Sequence, residues 1–92
     1  EHAFEVRHLL EAKTAGLAAR NATADDILAI SSAFDGAEAA IAASDFRAML
    51  SMDRAFHRAV ATATHNPTLA RFVVSLQNVA TRFWIWAMEK QS

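Results

Sequence analysis

Met49-Leu50-Ser51-Met52-Asp53-Arg54-Ala55-Phe56-His57-Arg58-Ala59-Val60 and, two residues later, Ala63-Thr64-His65-Asn66-Pro67-Thr68-Leu69 describe one helix, a stop and a restart. In the first segment Met49, Leu50, Asp53, Phe56, His57 and Val60 recur at intervals of three and four, the spacing of one helix face. In the second, Asn66-Pro67 is a boundary. Asn favours the N-cap, where its side chain accepts from an orphan N–H, and Pro at the first helical position has no N–H to lose. The spacing predicts a helix over residues 45–64, started by Ser44-Asp45 with Phe46 joining its stripe, and another over 68–89.

The same reading extends in both directions. Residues 68–89 carry Leu69, Phe72, Val73, Leu76, Val79, Ala80 and Phe83 at helical spacing. Upstream, Thr23 is a good N-cap, with Asp26 three residues later, close to a capping box. It opens a predicted helix over 24–43 with the stripe Ile27, Ile30, Phe34, Ala37, Ile41. Gly36 lies inside that helix and costs about 1 kcal/mol relative to Ala. The first helix spans 3–20, with Val6, Leu9, Leu10, Lys13 and Leu17 on one side, Lys13 keeping its amine in water. About a quarter of the 92 residues are alanine, against 2 Gly and 1 Pro. That composition favours helix throughout. No period-2 alternation suggests a strand. The expected fold class is all-α: an antiparallel bundle with four helices in this chain, joined by short connections.

Phe83-Trp84-Ile85-Trp86-Ala87-Met88 is apolar nearly all round. Such a helix needs covering on every side, by further helices or by a partner. Trp84 and Trp86 read as core or interface residues. The net charge of −1 lacks the clustered Lys/Arg of a nucleic-acid surface. Cysteine is absent, which excludes a disulfide framework and thiolate metal sites and suits a cytoplasmic location. No secretory leader is seen, and no run approaches the roughly 20 apolar residues of a membrane span.

Chemistry concentrates on Asp53 and His57, one turn apart on one helix face. A carboxylate in a core stripe is costly unless paired or bound to a metal. Oxygen and nitrogen donors at i, i+4 suit a divalent ion such as zinc or nickel. Two ligands do not complete a zinc site, and a plain hydrogen-bonded Asp–His pair meets the same spacing. Arg7 and Glu11 form an i, i+4 pair on the first helix, whether a surface ion pair or part of a site. His65 ends the third helix, where an imidazolium favours the helix dipole. His2 and His8 read as solvated.

The stretch from Met49 to Leu69 resembles the central signature of the FCD domain, the effector-binding half of FadR-type GntR regulators. The likeness lies in an Asp, two residues, Phe-His, and then Asn-Pro opening the next helix. Glu5-Val6-Arg7-His8-Leu9-Leu10-Glu11 and the later Leu17-Ala18-Ala19 resemble the family's first helix, and Thr23 with its Asp-rich turn the opening of the second. His65 departs from the small residue usual at its place. The resemblance implies a bundle of six or seven helices around a cavity, so residues 1–92 would form the N-terminal part of one effector-binding domain. It implies a divalent metal held by Asp53 and His57, with two later histidines completing the set, and a small organic acid as effector. Arg7 matches the cavity-facing arginine, and its guanidinium can grip a carboxylate in two places. A homodimer is implied, with DNA read by a separate winged helix-turn-helix domain. A metal-dependent enzyme and a ligand-free interaction module are the competing readings. No nucleophile–base pair supports the enzyme, and none is expected.

Overall fold

Five helices make up the computed structural model, which describes residues 2–91: α1 His2–Asn21, α2 Ala24–Ser32, α3 Ala37–Ala42, α4 Phe46–Ala63 and α5 Pro67–Gln91. No strand occurs among the described residues. The caps explain where helices begin. Thr23 Oγ1 accepts from the Asp26 N–H at 3.2 Å, and Asp26 Oδ2 accepts from the Thr23 N–H at 2.9 Å, a full capping box. Asp45 Oδ1 accepts from the Ala48 N–H at the head of α4, and Asn66 Oδ1 from the Leu69 N–H at the head of α5.

The predicted helix over 24–43 arrives in two pieces. Gly36 stands at φ 88° and ψ 2°, a left-handed conformation that costs a residue with a side chain about 1–2 kcal/mol. Turn bonds from the Asp35 N–H to the Ser32 carbonyl and from the Ala37 N–H to the Phe34 carbonyl replace the helical ladder there. The glycine therefore marks a break rather than a tolerated interior residue. The bundle keeps its four rods, with the second one bent into α2 and α3.

Helix directions follow from which residues meet. Arg47, Asp53 and Arg54 on α4 reach Glu89, Gln77 and Asn78 on α5, so these two helices are antiparallel. Asn21 Nδ2 at the end of α1 donates to the Thr64 carbonyl just past α4, which sets α1 parallel to α4. Asp26 meets His65 and Phe34 meets Phe56, so α2 runs antiparallel to α4. Helix α4 touches all four others, whereas α2 and α3 pack on α4 alone among the described residues.

Apart from Gln77, the buried residues among those described are small. Ala18, Ala40, Ala61, Ala63 and Val73 are the buried apolar ones, joined by Thr14, Thr64, Gln77 and Thr81. Alanine at these points lets the helices approach closely. Several residues of the expected stripes lie outside instead: Val6, Leu9, Ile27, Phe34, Ile41, Phe46, Phe72, Val79 and Phe83 are exposed. Leu9 is 73% exposed and Phe72 63%. The reason is shape. The molecule is a slab of 41 × 33 × 16 Å with a radius of gyration of 14.2 Å, against about 12 Å for a compact domain of this length. A slab this thin cannot cover both sides of each helix. Trp84 and Trp86 are likewise exposed, in ring contact with Phe83. No described helix is long and apolar enough to cross a membrane.

Candidate functional site

The covered side of α1 carries Arg7, Glu11, Thr14 and Ala18 beside the half-buried Leu10 and Leu17 of the expected stripe, but not Val6 and Leu9. That rotation decides the site, because it turns Arg7 toward α5. There Val73, Gln77 and Thr81, spaced by four, form the buried row. Asp53 and His57 face the same region from α4.

The side chains form one polar string across three helices. Arg7 Nε donates to Glu11 Oε1 at 2.8 Å. Arg7 Nη2 donates to Gln77 Oε1 at 3.4 Å, and Gln77 Nε2 donates to Asp53 Oδ2 at 3.3 Å. Asp53 Oδ1 then stands 3.4 Å from His57 Nε2. All three residues singled out from the sequence, Arg7, Asp53 and His57, thus lie on one connected path. The link that joins them, Gln77, is not among the residues that the sequence singles out. Only its i, i+4 relation to Val73 and Thr81 hints at it, and a row counted by hydrophobicity passes over a glutamine.

Burial grades along the string. Gln77 is 7% exposed, while the side chains of His57 and Asp53 are 28% and 47% exposed. The Asp–His pair therefore sits at the margin of the packed region, open on one side, rather than sealed in a core. Beside it a cavity of 230 Å³ is lined by Glu11, Thr14, Ala15, Phe56, His57, Val60 and Val73. Its walls are mostly apolar, with Glu11 and His57 as its ionisable members, the mixture usual for small-molecule sites.

The pair can be tested as half of a metal site. A hydrogen bond between nitrogen and oxygen is usually near 2.9 Å, so 3.4 Å is a slack contact. Two donors bound about 2.1 Å from one zinc-like ion at a tetrahedral angle stand roughly 3.4 Å apart. The spacing of Asp53 Oδ1 and His57 Nε2 therefore suits a shared ion, and Gln77 anchors the other carboxylate oxygen. Among the described residues, no group of three or more His, Asp or Glu converges to complete such a site.

The FCD domain family model matches residues 2–92, nearly the whole chain. The chain belongs to the FCD domain family. FCD domains are effector-binding regulatory domains of GntR-type regulators. No curated protein and no solved structure matches this FCD domain significantly.

The remaining histidines of interest lie elsewhere. His65 Nε2 is 2.6 Å from Asp26 Oδ2, two turns beyond His57, and holds the start of α2 against the α4–α5 turn. His65 itself is left-handed at φ 54°. The Thr23 N–H, and next the His65 ring, hold the Asp26 carboxyl below its ordinary pKa. His2 and His8 are exposed, as expected.

Proposed function

We propose that this FCD domain binds a small organic acid beside a divalent ion, with Asp53 and His57 as ligands to the ion and Arg7 as the carboxylate grip. The observation that carries the reading is the string Arg7–Gln77–Asp53–His57, which joins a guanidinium from α1, an amide from α5 and a carboxylate and an imidazole from α4, with His57 lining the adjoining cavity. The bound ion, of the zinc or nickel kind, supplies a positive centre for a carboxylate oxygen.

The chain's own residues do the rest. Asp53 offers Oδ1 while Gln77 occupies Oδ2. His57 offers Nε2 from the next turn of the same helix, which keeps both ligands on one face. Glu11 holds the Arg7 guanidinium at Nε and thereby orients it. An effector carboxylate that takes Arg7 competes with Glu11 and Gln77, which ties effector binding to contacts among α1, α4 and α5. Those contacts are the route by which occupancy alters DNA binding in a separate domain, within a homodimer that matches the two-fold symmetry of an operator. The net charge of −1 agrees with a sensing part that leaves phosphate to another domain.

Elemental analysis of the full-length protein tests this. About one divalent ion per subunit is expected, lost or greatly reduced in Asp53→Ala and in His57→Ala. Unchanged metal content in both variants removes the ligand assignment.

A further inference from the structure

Gln77 is the one long polar side chain in the buried set, and it is placed where two charged residues need opposite things. At 7% exposure it lies within the packed row of α5. A buried amide must satisfy both its ends, because an unpaired polar group away from water is costly. Its Oε1 faces Arg7 Nη2, which can only donate, and its Nε2 faces Asp53 Oδ2, which as a carboxylate can only accept. The amide is therefore held in one orientation by its two neighbours. Leucine or methionine would fill the space but connect neither neighbour. Glutamate would accept from Arg7 but could not donate to Asp53. The position calls for an amide.

Resting on the metal and effector reading above, we infer that Gln77 is a positioning residue that couples the two halves of the site. It fixes the Asp53 carboxylate by one oxygen and so aims the other, Oδ1, toward the side of His57. It also restrains the guanidinium of Arg7 that receives the effector's carboxylate. When an ion draws charge from Asp53, Oδ2 becomes a poorer acceptor. The Gln77 amide then shifts, and its carbonyl presents differently to Arg7. The influence runs both ways, since any coupling between two binding events is reciprocal. Hydrogen-bond partners of metal ligands set ligand orientation, and losing one typically lowers metal affinity about 10- to 100-fold.

The test uses the full-length protein, stripped of metal and titrated with Zn²⁺ against a chromophoric chelator, with no effector present. Gln77→Met keeps the volume and removes both bonds. It is expected to bind Zn²⁺ about tenfold more weakly while keeping its helical circular dichroism. In parallel, ¹⁵N NMR of the wild-type protein follows the Arg7 Nε–H and the Gln77 side-chain amide as Zn²⁺ is added. Both resonances should move, and the Arg7 resonance should stay still in Gln77→Met. A role confined to packing predicts no Zn²⁺-dependent change at Arg7. An Arg7 signal unmoved by Zn²⁺ in the wild-type protein, or Zn²⁺ affinity within twofold of wild type in a folded Gln77→Met, overturns the coupling. If Asp53→Ala also binds Zn²⁺ normally, the ligand assignment itself fails. If Asp53→Ala loses Zn²⁺ but Gln77→Met does not, only the role of Gln77 fails.

Discussion

The molecule contains the same chemical pair twice, and the two copies differ in almost every respect. Asp26 and His65 meet at 2.6 Å from separate elements, and the same Asp26 oxygen also accepts from the Thr23 N–H. Asp53 and His57 sit one turn apart on a single helix at 3.4 Å, with the aspartate's other oxygen taken by Gln77. The first pair is closed: each group answers the other, and the contact pins a helix start to a turn. The second is slack, with the carboxylate drawn toward Gln77 through its other oxygen. A closed pair has structural work and little capacity left for a ligand. A slack pair beside a cavity has that capacity.

The largest effect that separates the two pairs should be in metal content. Asp53→Ala and His57→Ala should each abolish or greatly reduce bound ion in the full-length protein, whereas Asp26→Ala should leave it unchanged. Metal loss in Asp26→Ala, read by the same elemental analysis, would erase the distinction. The next effect is on stability, in the opposite direction. Asp26→Ala removes both a capping-box partner and the His65 contact, and should lower the thermal midpoint by several degrees, more than Asp53→Ala does in metal-free protein.

Acid should weaken the closed pair. The Asp26 carboxyl titrates below its ordinary value, held there first by the Thr23 N–H and then by His65. A carboxyl lowered on folding adds stability that is whole above the unfolded value, about 3.9 for aspartate, and is lost as pH falls through the folded value. The gap in thermal midpoint between wild type and Asp26→Asn should therefore narrow as the pH is taken below that ordinary value. A gap that persists at the acid end would mean that charge on Asp26 is not what holds the contact.

Two smaller effects calibrate the scale. Gly36→Ala should cost about 1–2 kcal/mol in a denaturant melt, because its left-handed backbone is the penalty; the added methyl would meet only Met52 Cε at 3.6 Å. His65→Gly should change stability least. It loses the Asp26 contact but relieves a left-handed residue at φ 54°, and the two terms oppose. His65→Ala, which loses the contact and keeps the strain, should be the more destabilised of the two.

Local signals in the sequence were accurate where the cause is local. Thr23 with Asp26, and Asn66 with Pro67, announce helix starts because the capping atoms belong to neighbouring residues, and those bonds are present. Asp53 and His57 share a face because helical spacing alone requires it. Gly36 does not show as a break in the sequence because its neighbours continue an apolar stripe on both sides. On α1 the expected stripe holds in part: Leu10 and Leu17 are half-buried, while Val6 and Leu9 are exposed. Val6 and Leu9 look like core, but the side that finds neighbours carries Arg7, Glu11 and Thr14. Which side is covered depends on where α4 and α5 lie, and no periodicity within α1 contains that. The meeting of Arg7, Asp53 and Gln77 is a three-helix fact, and for Gln77 no local pattern stood in for it.

One property of the architecture bears on how such a sensor speaks. Among the described residues, helix α4 alone is in contact with every other helix, and both Asp53 and His57 ride on it. A small roll of that axle cannot be absorbed on one flank. It drags the pieces before and after Gly36, the α1 rod and the long α5 rod at once. Whatever seizes those two side chains has its hand on the shaft rather than the rim.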